Sequence, residues 1–169
     1  MEAYEALMTR RSIRKFEERS IDEKILKDIL QAAMNAPSAH NRQPWEFILI
    51  DNKKILEEIP KLNKYAEMCK RSPLSILICG DLEKENLEGL LVQGCSAAIE
   101  NILLAAHIKG IGSVWTGMYP KKNRIDGLRN ILSLPSNILP IGLVVLGYPS
   151  EIKAKENRYD EKKIHRNGW

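Results

Sequence analysis

Beyond Ser20-Ile21-Asp22-Glu23, which has the form of a capping box, Ile25, Leu26, Ile29, Leu30 and Ala33 recur at the helical period and share one face. That spacing predicts an amphipathic helix, ended with the help of Pro37. Residues 45–50, Trp-Glu-Phe-Ile-Leu-Ile, are almost continuously apolar and rich in strand formers, as are residues 74–80 and 141–147. Short apolar runs of this kind predict strands, the first covered on both faces and the second also buried. A fourth, shorter strand, third in chain order, is predicted at residues 112–117. The longest apolar segment, residues 87–109, is broken only by a narrow polar stripe through Gln93, Ser96, Glu100 and His107. It reads as a helix buried on most sides, with Gly110 as its glycine stop.

Shorter helices complete the pattern. Residues 3–9 form one candidate; Asp51-Asn52 caps a second over residues 53–58, which Pro60 interrupts, and residues 62–71 form a third. Pro120 opens a basic helix whose face is Ile125, Leu128, Ile131 and Leu132, and Leu134-Pro135 closes it. Four strands separated by helices give a single domain of the α/β or α+β class. Residues 150–169 are highly charged but carry Ile152, Tyr159, Ile164 and Trp169. Aromatic residues are costly to leave in water, so this extension is expected to pack on its own domain or on a partner subunit.

With 169 residues, the chain can build a sizeable core without staples. No uninterrupted apolar run is long enough to span a bilayer, so no membrane role is expected. The first five residues lack the basic and apolar regions of a signal peptide, which points to the cytoplasm. Cys69, Cys79 and Cys95 are odd in number and widely spaced, which fits buried small hydrophobes better than a disulfide framework. A formal charge of +4 suits an anionic ligand or a nucleic acid, so the placement of the cations decides more than their sum.

Five of those cations fall within residues 10–19. Arg10, Arg11, Ser12 and Arg14 put fixed positive charge, a hydroxyl and turn amides within five residues, the donor set that a phosphate monoester needs. A solvated basic surface or a nucleic-acid contact fits the same cluster, although no aromatic ladder accompanies it. Residues 36–47, Ala-Pro-Ser-Ala-His-Asn-Arg-Gln-Pro-Trp-Glu-Phe, place polar side chains on a backbone restrained by Pro37 and Pro44. The segment reads either as a recognition loop for a flat polar ligand or as local turn chemistry by Ser38 and Asn41. His40 is a proton donor or a solvent-exposed loop histidine.

Other chemistries lack their signatures. Gly110-Ile111-Gly112-Ser113-Val114-Trp115 ends in Trp and follows a helix, unlike a dinucleotide fingerprint, and no phosphate-loop motif occurs. His40, His107 and His165 are too scattered for a zinc motif, and no nucleophile elbow is present.

Three segments in order, Arg10-Arg11-Ser12-Ile13-Arg14-Lys15-Phe16, Pro37 through Phe47, and Gly110 through Gly117, resemble the nitroreductase family. The helix segment Ala97-Ala98-Ile99-Glu100-Asn101 and the ending Gly147-Tyr148-Pro149 with Arg158-Tyr159-Asp160 are similar to its short members. The resemblance implies an α+β fold with a mixed sheet flanked by helices, in an intertwined homodimer. It implies FMN as cofactor, NADH or NADPH as electron donor, and a small nitroaromatic, quinone or related electrophile as acceptor, with no nucleic acid as partner. It implies that Arg10, Ser12 and Arg14 bind the phosphate end, Arg11 reaches the polar side of the flavin, and Arg158 is a second phosphate ligand. Pro37, Ser38, Ala39, Asn41 and Gln43 would line the ring from the other subunit, and Trp115, Thr116 and Gly117 the ring and ribityl chain. The flavin would carry the chemistry, with no obligatory side-chain acid or base and no metal. A flavin store or sensor without turnover is the alternative. Two departures stand out: Gly94 replaces an acidic residue common in short members, and insertions that cover the flavin in larger members are missing.

Overall fold

The structure is a computed structural model that describes residues 1–169. Its elements follow the chain as α1 (Ala3–Thr9), α2 (Glu23–Met34), β1 (Trp45–Ile50), α3 (Lys53–Leu62), β2 (Leu74–Asp81), α4 (Glu88–Ile108), β3 (Gly112–Gly117), α5 (Lys122–Leu132) and β4 (Ile138–Gly147). Short 3-10 turns occupy Ala39–Asn41, Lys64–Arg71 and Glu161–Lys163. The sheet order is β1-β2-β4-β3, and all three pairings are antiparallel. Parallel pairing is confined to one bridge, Ser12 with Ser113, beside β3. The expected α+β class therefore holds, with an antiparallel sheet in place of a mixed one.

Side-chain alternation sends the two sheet faces into separate cores. Ile76, Ile78, Val144 and Leu146 meet α2 and α4 on one side; Leu77, Cys79, Leu143 and Val145 meet α3, α5 and the Lys64–Arg71 turn on the other. Both central strands, β2 and β4, are buried almost throughout. β1 departs from the expectation of two-sided burial: it is an edge strand, and Leu49 is exposed. By length and composition α4 could cross a membrane, but Leu91, Cys95, Ile99, Ile102 and Ala106 bury it in the core, and Asn101 Nδ2 ties it to the Ala32 carbonyl of α2 at 2.9 Å.

Several boundaries differ from the sequence reading for local reasons. Asp22, not Ser20, caps α2, its carboxylate accepting from the amides of Lys24 at 2.8 Å and Ile25 at 3.4 Å. Pro60 lies inside α3, near its end, where its missing amide leaves few later turns to disturb. Pro140 lies inside β4, at the irregularity where Cys79 pairs with Pro140 and Ile78 with Gly142, and beyond the last β3 pair. A bulge there needs no donor from residue 140 and resets the alternation. α5 starts at Lys122, two residues after Pro120. Gly110 does take the left-handed conformation expected of a helix stop, with φ of 75°.

Candidate functional site

Arg10 ends α1 with non-helical geometry, and the next residues run along the free edge of β3. The Ile13 amide donates to the Ser113 carbonyl at 2.9 Å. Gly112 allows this approach, because a Cβ there would lie 2.8 Å from Ile13 Cγ2. The sheet thus fixes the backbone from which Arg10, Arg11, Ser12 and Arg14 project.

Those four residues, with Lys153 and Arg158, line a cavity of about 220 Å³ that no carboxylate enters. Lys153 Nζ donates to the Ser12 carbonyl at 2.7 Å, and Arg11 Nη1 to the Ala154 carbonyl at 3.0 Å, so the tail is stitched over the cluster. Acidic groups around the cavity moderate its charge. Glu151 accepts from the Arg14 amide at 2.6 Å and Lys15 amide at 3.3 Å, and those contacts, Arg14's first, hold its carboxyl below the usual range. Glu156 bridges Arg11 at 2.5 Å and Arg158 at 2.9 Å, and Glu100 lies 3.6 Å from Arg10. Five cations facing one small cavity favour a multiply charged anion there.

Arg14 also lines a second cavity, of about 260 Å³, with Trp115, Thr116 and Gly117. The Trp115 indole lies over Gly142 of β4: a Cβ at Gly142 would stand 2.4 Å from Trp115 Nε1 and 2.8 Å from Ile99 Cδ1. A half-exposed aromatic face is therefore seated directly on sheet backbone. Asn63, Tyr65 and Arg124 complete the lining. Asn63 Nδ2 at 3.5 Å and Arg124 Nη1 at 2.7 Å both donate to the Gly117 carbonyl. Lys153, Asn63, Tyr65 and Arg124 escaped the sequence reading. The first is one lysine among many in a charged tail, and the others meet β3 only through tertiary packing.

The residues of the 36–47 segment form a separate group. His40, Asn41 and Gln43 have φ of 51°, 54° and 48°, in the left-handed region. Three such non-glycine residues in one loop cost about 1–3 kcal/mol each, so the loop must be held from outside. The Ser38 hydroxyl accepts from the Gln43 amide at 2.9 Å, and Gln43 Nε2 donates to Asn41 Oδ1 at 3.1 Å. Arg42 reaches buried Glu85 at 3.2 Å, and Glu85 also accepts from the Leu87 amide at 2.9 Å. On α4, Gly94 faces the loop, where an added Cβ would meet Ser38 Cβ at 3.4 Å, Pro44 Cγ at 3.7 Å and Pro44 Cδ at 3.8 Å, all ordinary van der Waals contacts. Pro37, Ser38, Ala39, Asn41 and Gln43 line neither cavity described above. Within one chain the predicted site residues thus fall into two sets: the arginines join the Trp115 wall, and the loop stands apart.

His107 sits behind Arg10, its Nε2 2.9 Å from the Thr9 hydroxyl, and burial together with the Arg10 charge lowers its pKa. The three thiols are buried. Desolvation pushes Cys69 up to about 11 and Cys79 and Cys95 up to about 12. Folded protein at pH 8 is expected to resist a disulfide thiol reagent and to release three equivalents of thiol only in denaturant; rapid labelling of the native protein would contradict this burial.

A three-layer α+β domain with a cavity walled by cations adjoining an aromatic-walled cavity is suited to a small planar molecule carrying an anionic end. The Nitroreductase family model matches residues 7–85 and 60–148. The chain belongs to this family of enzymes. It is 43% identical over 169 residues to a Methanothermobacter thermautotrophicus protein named "Putative NADH dehydrogenase/NAD(P)H nitroreductase", covering 100% of this chain and 88% of that one. The crystal structure of a protein of the same name from Parabacteroides distasonis superposes with a TM-score of 0.95 at 36% identity, covering 99% of this chain and 98% of that one. An FMN-dependent nitroreductase from Clostridium difficile gives 0.89 at 31% identity, covering 97% and 98%.

Proposed function

We propose that this chain binds FMN non-covalently between two copies of itself and passes electrons from NADH or NADPH to nitroaromatic, quinone or related conjugated acceptors. The observation that carries the reading is the cavity lined by Arg10, Arg11, Arg14, Lys153 and Arg158 with no acidic side chain in its wall, continuous through Arg14 with the Trp115 cavity. The donor set fits FMN, whose phosphate needs cations and whose ring needs an apolar face beside amide-type partners.

Arg10, Ser12 and Arg14, with Lys153 and Arg158, hold the phosphate end; Arg11 reaches the polar side of the flavin. Trp115, Thr116 and Gly117 lie along the ring and ribityl chain. Pro37, Ser38, Ala39, Asn41 and Gln43 come from the partner copy, in keeping with their separation from the cradle within one chain. The exposed Tyr4, Leu7, Tyr159, Ile164 and Trp169 support a dimer, because they would leave a large apolar area in water otherwise. In this reading residues 1–169 form one FMN-binding domain, and the tail from residue 150 packs across both copies.

FMN supplies the two-electron chemistry when bound. In the overall reaction the donor's hydride and one proton reduce a nitro group to nitroso with release of water, and the donor leaves as NAD+ or NADP+. The chain's own residues bind, orient and screen.

Anaerobic addition of NADH or NADPH to the flavin-loaded protein is expected to bleach its visible absorbance, and a nitroaromatic or quinone to restore it. Flavin that neither nicotinamide reduces would overturn the enzymatic reading and leave a flavin carrier in its place.

A further inference from the structure

Glu85 lies in the turn between β2 and α4 and is buried, with 1% of its surface exposed. Its Oε1 accepts from Arg42 Nη1 at 3.2 Å and from the Leu87 amide at 2.9 Å, while Oε2 is buried without a hydrogen-bond partner. A carboxylate taken out of water and paired through one oxygen with a half-exposed guanidinium adds little to stability. What it fixes is position.

The position belongs to the loop at residues 37–43. His40, Asn41 and Gln43 have positive φ, and the bonds inside the loop, from Asn41 and Gln43 to Ser38 and from Arg42 to Ala39, only join its own residues to one another. Across residues 37–43, the Arg42 to Glu85 contact is the only hydrogen bond or ion pair to the rest of the chain. Arg42 stands between Asn41 and Gln43, so its anchor sets the turn that carries both amides. Gln43 Nε2 donates to Asn41 Oδ1, which leaves Asn41 Nδ2 as a donor and Gln43 Oε1 as an acceptor on an exposed surface.

We propose that Glu85 is a positioning residue for the flavin site of the partner copy: through Arg42 it holds Asn41 and Gln43 in the left-handed turn from which they meet the ring. The proposal rests on the flavin reading above, in which this loop crosses to the other copy. The contact uses one guanidinium nitrogen, so it needs a cation at that place more than it needs the fork of an arginine.

Glu85→Gln keeps the shape and an acceptor for the Leu87 amide but removes the charge that holds Arg42. It is expected to weaken FMN binding roughly tenfold, the scale of one screened bond to a charged group, and to move the visible spectrum of bound flavin toward that of free FMN. Arg42→Met, at a half-exposed position, is expected to do the same and carries the test if Glu85→Gln does not fold. The double variant is expected to bind no more weakly than the worse single variant, because the two groups act as one unit, and Arg42→Lys is expected to retain most of the affinity. Variants that melt lower as apoprotein but bind FMN with wild-type affinity and spectrum would make the pair merely structural and overturn the proposal. A double variant whose losses multiply would overturn it too.

A mixed dimer, one chain carrying Arg10→Ala with Ser12→Ala and the other Glu85→Gln, tests the direction of the effect. One of its two sites joins an intact cradle to an intact loop, so one flavin per dimer is expected at wild-type affinity. Loss of that site would confine the effect of Glu85 to its own chain and overturn the proposal. Wild-type protein that holds no flavin refutes the cofactor reading itself, and that result is seen before any variant is made.

Discussion

Replacing Arg10 and Ser12 together by Ala is expected to weaken FMN binding by roughly two to four orders of magnitude, since a hydrogen bond to a charged group is worth about 1.5–3 kcal/mol and two are lost. The fold should not follow. Arg10's ion pair with Glu100 spans 3.6 Å and is partly exposed, so it contributes at most about 1 kcal/mol. The backbone contacts of residue 12, its bridge to Ser113 and its carbonyl bond from Lys153, do not involve the hydroxyl. Flavin-fluorescence titration of the variant, with a melt of the apoprotein beside it, separates the two effects. Unchanged affinity would remove both residues from the phosphate site.

Gly142→Val is expected to lose stability and cofactor affinity together. Strand propensity alone favours valine over glycine, within a scale of about 1 kcal/mol. The packing outweighs it: the first added carbon would already stand 2.4 Å from Trp115 Nε1 and 2.8 Å from Ile99 Cδ1. Overpacking of this kind costs about 1–3 kcal/mol, and relief requires the indole to leave the wall it forms. Urea unfolding and FMN titration of one sample read both outcomes. A variant as stable as wild type that still binds FMN would show that the indole's seat on β4 does not matter.

Much of this fold is legible in the sequence because burial writes itself as periodicity. α2 shows the helical spacing of Leu26, Ile29 and Ala33, and β2 and β4 show the continuous apolar runs of strands buried on both faces. Strand order leaves no such trace. Residues 45–50 carry the composition of a central strand but lie at the edge, where Leu49 meets solvent. The prolines mislead for a related reason: Pro60 and Pro140 advertise a missing donor, but not that their positions need none.

The site divides in the same way. Arg10, Arg11, Ser12 and Arg14 are adjacent in sequence, so their chemistry is visible there, and the structure places them around one cavity. Lys153 is indistinguishable from Lys155, Lys162 and Lys163 until its bond to the Ser12 carbonyl is seen. Asn63 falls inside the helix expected over residues 62–71, yet it is buried against β3. The strain at His40, Asn41 and Gln43 is invisible in a run of polar residues, because the buried Glu85 that anchors Arg42 is brought there only by the fold.

The central claim is that this chain carries a complete set of FMN contacts once two copies meet. Purified protein incubated with excess FMN, desalted, and examined by visible absorbance with light scattering on a sizing column tests it most directly. A yellow dimer with flavin in equal number to chains is the expected result; a colourless protein, or flavin retained by a monomer, would contradict it.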